Sequence, residues 1–318
     1  DHRDLHLSIR RQRQMCIRDS PNSNDHYVLL ISFDGFRPDY VDWYNTPNLD
    51  KIKSNGVMAK KLKPVFPTKT FPNHYSMATG MYVENHGLIG NQFFDKKLNE
   101  FYQIKDRKKV EDERFYGGEP IWSTAEKQGL KTASYFWVGS EAQAGGHYPS
   151  IWKKYDQKQS FDARIDSVTK WFNMPIENRP RLVMLYFHEP DNTGQKYGPK
   201  SNENKRMVES VDRTIGNIIN KLKTLNIYQK LNVIIVSDKD HLRSDNAIYK
   251  IDTGIATLIK NVSITRGDSI LTGDRAEINL NTGVSKLLTV NSLGSSRKDK
   301  KVRGLIYQHR KKGANDNR

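Results

Sequence analysis

The sequence predicts an α/β protein with a doubly wound, mostly parallel sheet and helices on both faces. Four short apolar runs, rich in β-branched and aromatic residues, predict buried strands: YVLLISF (27–33), KTASYFW (131–137), RLVMLYF (181–187) and LNVIIVSD (231–238). Segments with helical periodicity fall between these runs. Because strands that alternate with helices are joined by crossover connections, the strands are expected to run parallel.

The predicted helices are marked by their ends and by apolar residues three and four positions apart. Thr46 and Pro47 predict the start of the first helix, which Gly56 ends. A second helix is predicted from Pro72 to Met77, before Gly80. Three more are predicted over 121–127, 161–172 and 203–225. Residues 251–290 hold short apolar runs among Thr, Asn and Gly, which predict small strands or loops without a functional motif.

Composition and charge divide the chain into four parts. Residues 1–24 are predicted to be a non-native or disordered leader, since RRQRQMCIRDS lacks periodicity and resembles translated adapter sequence. Residues 25–238 are predicted to form the core, and 239–296 a poorly matched continuation of it. Residues 297–318 hold nine Lys and Arg against two Asp, which predicts a basic, disordered tail. Contact between this tail and an anionic partner is the alternative.

Composition also limits the kinds of site that the chain can build. The net charge is +16, but the leader supplies +2 and the tail +7, so no single basic face is predicted and nucleic acid is not the expected partner. Cys16 is the only cysteine, which excludes an internal disulfide and a cysteine-based zinc cluster. No run of 18 apolar residues is present, so no transmembrane segment is predicted.

Three aspartates lie at the carboxyl ends of predicted strands. Asp34 ends the first strand, Asp191 lies four residues after the third, and Asp238 ends the fourth. Ligands of open parallel sheets bind at these ends. Each aspartate alone is better explained as the cap of a turn or helix. Three in series predict a cluster, and gathered carboxylates require a cation between them.

Thr70 precedes Phe71 and Pro72 at the start of a predicted helix. Free amide groups and partial positive charge at a helix N-terminus suit a phosphate oxygen and favour ionisation of a hydroxyl. A simple capping role for Thr70 is the alternative.

Eight segments together resemble the ectonucleotide pyrophosphatase/phosphodiesterase family of the alkaline phosphatase superfamily. They span about two thirds of the chain, from Tyr27 to Asp238, in the order of the family. The segments are FDGFRPDY (33–40), FPTKTFPNHYSMATGMY (66–82), NHGLIGNQFFD (85–95), GEPIWSTAEKQGLK (118–131), YFWVGSE (135–141), WKKYD (152–156), HEPDNTGQKYGP (188–199) and IIVSD (234–238). The resemblance implies an alkaline phosphatase-like fold.

The resemblance also implies a site and a reaction. In the family two zinc ions bracket a phosphodiester, and a threonine attacks phosphorus to form a phosphothreonine intermediate. By matching motif the zinc ligands are Asp34, Thr70, Asp191 and Asp238, with Thr70 as the nucleophile. Asn91 is implied to donate a hydrogen bond to a phosphate oxygen. Phe71 and Tyr155 are implied to stack on a nucleobase, with ordinary packing as an equal alternative.

The implied zinc site is incomplete in this sequence. Gln195 stands where the family has a histidine, and Lys239 replaces a second histidine. His241 is a possible substitute for the second one, and His309 is a poor candidate for the last ligand. Of the seven protein ligands implied, four are therefore present. The departures predict either an inactive relative or, as the favoured explanation, a truncated or frame-shifted reading of an active enzyme's gene.

The leading functional prediction is a zinc-dependent phosphodiesterase or nucleotide pyrophosphatase with a small nucleotide or phosphodiester substrate. A non-catalytic nucleotide- or phosphate-binding protein is the rival of a different class. A phosphomonoesterase is the alternative within the superfamily. Members of the family are usually exported, so a periplasmic or extracellular location is expected, although no signal peptide is visible.

Overall fold

The computed structural model describes residues 26–59 and 62–238 in full. After Asp238 it describes only the backbone of strand segments within residues 242–305. Lys239, His241 and His309 lie outside the described residues, as do 1–25. The predicted division of the chain into four parts therefore stays a prediction.

The central element is a five-stranded sheet. Its strands are β1 (Tyr27–Phe33), β4 (Thr132–Tyr135), β5 (Ile151–Lys153), β6 (Leu182–Phe187) and β7 (Leu231–Val236). They run in the order β5-β4-β6-β1-β7, and every neighbouring pair is parallel. The predicted parallel sheet is confirmed, and the four predicted strands are all present.

Nine α-helices occur among the fully described residues. They are α1 (Tyr40–Trp43), α2 (Pro47–Asn55), α3 (Thr70–Thr79), α4 (Val83–His86), α5 (Arg107–Val110), α6 (Ile121–Lys127), α7 (Phe161–Phe172), α8 (Asp191–Tyr197) and α9 (Asn202–Lys223). Helix α3 begins two residues before the predicted Pro72, and Gly80 ends it in the left-handed conformation (φ +68°). A short antiparallel hairpin, β2 (Gln92–Asp95) and β3 (Glu100–Gln103), follows α4.

Helices cover both faces of the sheet because successive side chains of β1 point to opposite sides. Leu29 and Ile31 belong to one core cluster with residues of α7 and α9. Val28 and Leu30 pack against the other cluster, which contains residues of α3 and α6. The predicted two-faced, doubly wound arrangement is therefore confirmed.

The chain after β7 forms strands of a different kind. These are β8 (Leu242–Arg243), β9 (Asn246–Lys250), β10 (Ile255–Arg266), β11 (Ser269–Asn279), β12 (Ser285–Leu288) and β13 (Arg303–Leu305). They pair antiparallel in a second sheet of six strands. No helix among the described residues is long and apolar enough to cross a bilayer.

Candidate active site

The three predicted aspartates lie together because the strands that precede them are neighbours. Asp34 follows β1, Asp191 follows β6 and Asp238 follows β7, and β1 is the middle strand of these three. The backbone N–H of Asp191 donates to the carbonyl oxygen of Asp34 at 2.9 Å. The backbone N–H of Gly35 donates to Oδ1 of Asp238 at 3.0 Å. We call this group, Asp34, Asp191 and Asp238, the aspartate rim.

Gly35 allows the rim to be this compact. Its φ is +71°, and a Cβ atom built on it would lie 2.8 Å from Cα, Cβ and Oδ1 of Asp191. No side chain larger than hydrogen fits at that distance. A glycine directly after Asp34 is therefore required for the close approach of β1 to the start of α8.

Two of the rim carboxylates are removed from solvent. Asp34 is 3% exposed and Asp238 is 1% exposed. The hydroxyl of Tyr186 donates to Oδ2 of Asp34 at 2.6 Å. Burial, together with the charge of Asp34, raises the pKa of Tyr186 well above its ordinary value. Tyr186 is therefore a permanent donor to Asp34, a partner that the sequence motifs did not reveal.

Thr70 is the first residue of α3, and His74 connects it to the rim. Nδ1 of His74 lies 2.8 Å from the carbonyl oxygen of Thr70 and 3.8 Å from Oδ2 of Asp238. Nε2 of the same ring lies 2.7 Å from Oγ of Ser32 in β1. Since a carbonyl oxygen only accepts, the Thr70 contact places a proton on Nδ1. His74 was missed in the sequence, although its position one helical turn after Thr70 could have indicated it.

Asn91 and Phe71 meet at the start of the same helix. The backbone N–H of Phe71 donates to Oδ1 of Asn91 at 3.1 Å. This contact occupies the oxygen of the amide and orients the Nδ2 group away from Phe71. The structure therefore brings Asn91 to the helix turn that carries Thr70.

The two predicted base-stacking rings lie in different core clusters. Phe71 packs with Tyr102, with ring centroids 6.3 Å apart. Tyr155 meets Phe136 edge to face at 5.0 Å and lies 6.5 Å from the ring of Tyr186. Burial raises the pKa of Tyr155. Tyr155 is thus near the Asp34 side of the rim, and Phe71 is near Thr70.

The described residues do not complete a zinc site. Nε2 of Gln195 donates to Oδ2 of Asp191 at 2.6 Å, so an amide N–H meets the carboxylate where the resemblance implies an imidazole ligand. Among the fully described residues, no group of three or more His, Cys, Asp or Glu is placed to hold a metal ion. The rim offers oxygen donors, whereas zinc sites in proteins are built mainly with nitrogen and sulfur.

Replacing Gln195 with His is expected to tighten zinc binding at least about tenfold, because the change removes an amide donor from Asp191 and adds an imidazole ligand. Isothermal titration with Zn²⁺ measures the effect without any assay of activity. Gln143→His is the matched control, since Gln143 is exposed and donates to the carbonyl of Gly146, away from the rim. If Gln195→His and the unchanged chain bind zinc equally well, Gln195 is not the residue that weakens zinc binding at the rim.

Comparison with known proteins identifies the family. The sequence model described as type I phosphodiesterase / nucleotide pyrophosphatase matches residues 28–284. The chain belongs to this family. A venom phosphodiesterase of Naja atra is 42% identical over 213 residues, which cover 66% of this chain and 26% of the venom protein. The ectonucleotide pyrophosphatase/phosphodiesterase family member 1 of Homo sapiens is 43% identical over 213 residues, 66% of this chain and 23% of that protein.

A solved phosphodiesterase structure agrees with the fold. Murine ectonucleotide pyrophosphatase/phosphodiesterase 5, an inactive threonine-to-alanine variant in complex with AMP, superimposes with a TM-score of 0.65 at 30% identity. The match covers 78% of this chain and 66% of that one. The chain spans about a quarter of the length of the curated relatives that it matches.

Proposed function

We propose that the chain is a phosphodiesterase or nucleotide pyrophosphatase whose nucleophile is Thr70. The observation that carries this proposal is the link from Thr70 through His74 to Asp238, which places the first turn of α3 beside the aspartate rim. Membership of the family supports it. So does the inactive murine relative, whose single substitution replaces a threonine with alanine.

In the proposed reaction Thr70 Oγ attacks phosphorus and the bond to the leaving oxygen breaks. The hydroxyl proton goes to the leaving oxygen, and the product is a phosphothreonine that still carries the remaining ester group, such as the nucleoside. Water then hydrolyses the bond to Thr70 to free the phosphate monoester and regenerate the hydroxyl. The Nδ2 group of Asn91 would donate to a phosphate oxygen whose charge grows during attack, beside the positive end of the α3 dipole. Zinc is the cation that the family resemblance implies for the rim. The described residues do not supply a matching ligand set for it.

The proposed substrate is a small nucleotide or another phosphodiester. The murine relative was solved with AMP, which supports a nucleotide site. Phe71 and Tyr155 are proposed to hold the base, and stacking of this kind contributes about 1–3 kcal/mol per base. An extracellular or periplasmic location is part of the proposal, since the relatives carry the names venom phosphodiesterase and ectonucleotide pyrophosphatase.

The test is hydrolysis of an aryl ester of a nucleoside 5′-monophosphate by the purified chain with added zinc. Release of the aryl alcohol is expected, at a rate above that of the Thr70→Ala protein prepared in the same way. If the two proteins release the alcohol equally, the catalytic proposal is wrong and the fold assignment stands.

A second candidate is a nucleotide-binding protein without catalysis. The hydrogen bond from Gln195 to Asp191 favours it, because it satisfies a rim carboxylate without a metal. Isothermal titration with AMP, before and after treatment with a chelator, separates the two functions. AMP affinity that is unchanged after chelation is expected for the binding protein, and affinity lost with the metal is expected for the metal-dependent enzyme.

A further inference from the structure

Arg164 is a fully buried cation in α7, where it is the fourth of twelve residues. Its relative exposure is 0%. The guanidinium lies over three aromatic rings, 4.8 Å from the ring centroid of Phe136, 5.1 Å from Phe161 and 5.6 Å from Phe187. Among the described residues it forms no ion pair with a carboxylate.

Within the part of the chain that the structure describes, the hydrogen-bond partners of Arg164 are neutral acceptors. Nη1 donates to the carbonyl oxygen of Tyr186 at 2.9 Å, and Nη2 donates to the carbonyl oxygen of Gln159 at 3.0 Å. Nη2 also approaches Nδ1 of His188 at 3.4 Å. Nε approaches the carbonyl oxygen of Gln159 at 3.3 Å.

A buried cation without a carboxylate partner is costly, and an unbranched apolar side chain would fill the same space without that cost. The contacts of Arg164 indicate a role other than filling space in the core. Two of them are made to Tyr186, whose hydroxyl donates to Asp34, and to His188. Tyr186 lies near the end of β6 that borders the rim, and His188 directly follows that strand.

His188 lies directly beside Asp34. Phe187 is the last residue of β6 and is in register with Phe33, the last residue of β1. The backbone N–H of Asp34 donates to the carbonyl oxygen of Phe187 at 2.9 Å. His188 is the next residue, and it is partly exposed. Its ring meets Phe161 of α7 edge to face, with centroids 5.4 Å apart, and the residue keeps part of its surface open at the end of the sheet that carries Asp34.

Arg164 determines which nitrogen of His188 carries the proton. A guanidinium has donors and no acceptor, so Nδ1 of His188 must accept. In the neutral ring the proton is then on Nε2. Because Nδ1 accepts from the guanidinium, it carries no proton, and the ring is neutral.

We propose that His188, held by Arg164, donates a hydrogen bond from Nε2 to a phosphate oxygen of the nucleotide bound at the rim. This inference rests on the proposed nucleotide site. His188 is the binding residue, and Arg164 is a positioning residue that acts through it. Neither residue is among those that the sequence motifs assigned to the site.

The test measures AMP affinity by isothermal titration in a set of variants. His188→Ala is expected to weaken AMP binding about tenfold, as for loss of a hydrogen bond to a charged group. Arg164→Met should weaken it similarly, and the double variant should be no weaker than either single one, because both changes remove one donor. His188→Asn, whose amide has an acceptor and a donor, should retain most of the affinity.

Arg179→Met is the matched control. Arg179 donates to the carbonyl of Met174 at 2.9 Å and stacks on Tyr27, the first residue of β1, at the opposite end of the sheet. Its removal should leave AMP affinity unchanged. His188→Ala keeps the test decisive if Arg164→Met does not fold, since His188 is partly exposed.

Nitrogen-15 NMR of the histidine rings tests the pair without any ligand. The unchanged chain should show His188 with Nε2 protonated and Nδ1 bare, and Arg164→Lys or Arg164→Met should show a mixture of tautomers.

A mixture of tautomers in the unchanged chain overturns the role of Arg164. AMP affinity that is equal in His188→Ala and the unchanged chain overturns the role of His188. If the unchanged chain binds no AMP but its His188 ring is protonated only on Nε2, the proposed nucleotide site is wrong. The hydrogen bond from Arg164 to His188 is then still supported.

Discussion

Alanine at position 70 is expected to abolish hydrolysis while leaving AMP binding within about twofold of the unchanged chain. The substitution removes the proposed nucleophile, and loss of a catalytic nucleophile lowers kcat by at least about 10⁴-fold. The structure explains why the fold should survive. The contact of Thr70 with His74 is made by the backbone carbonyl oxygen, which alanine retains.

Thr79→Ala is the matched control for this result. Thr79 is the last residue of the same helix, and its hydroxyl donates to the carbonyl of Tyr75 at 2.9 Å, one helix length away from the rim. Turnover of the aryl nucleotide ester and titration with AMP are measured on both variants. Equal loss of turnover in Thr70→Ala and Thr79→Ala would point to damage of the helix rather than loss of a nucleophile.

A methyl group at Gly35 is expected to disrupt the aspartate rim and destabilise the protein. Two costs add. A non-glycine residue in the left-handed region costs about 1–2 kcal/mol. The new Cβ would also lie 2.8 Å from backbone and side-chain atoms of Asp191, and overpacking of this kind costs about 1–3 kcal/mol more.

Gly80→Ala separates these two costs. Gly80 has nearly the same φ, +68°, and a Cβ built on it meets no atom within 4 Å. The free energy of unfolding, measured with urea on both variants, should fall further for Gly35→Ala than for Gly80→Ala. AMP binding should be lost only in Gly35→Ala, because Asp34 and Asp191 must move apart. If the two variants have similar free energies of unfolding and similar AMP affinities, the aspartate rim tolerates a Cβ atom at position 35.

The strands of the parallel sheet and most of the helices around it could be predicted from the sequence. The run at 27–33 is apolar on both faces, and the structure buries it between two helical layers. Helices α6 and α7 have the predicted bounds, since a proline or serine precedes each one and the apolar spacing is regular. Helix α3 was predicted to begin at Pro72, whereas Thr70 is its first residue. This difference places the proposed nucleophile inside the first turn.

The sequence by itself determined that carboxylates follow strands of one parallel sheet, because apolar runs and the residues after them are local features. Tertiary structure alone decided which of these strands are neighbours, and so that Asp34, Asp191 and Asp238 meet. It also decided that Gln195 donates to Asp191, that His74 joins Thr70 to Asp238, and that Arg164 lies behind His188. Such contacts depend on how distant segments pack, and no local pattern of residues encodes that geometry.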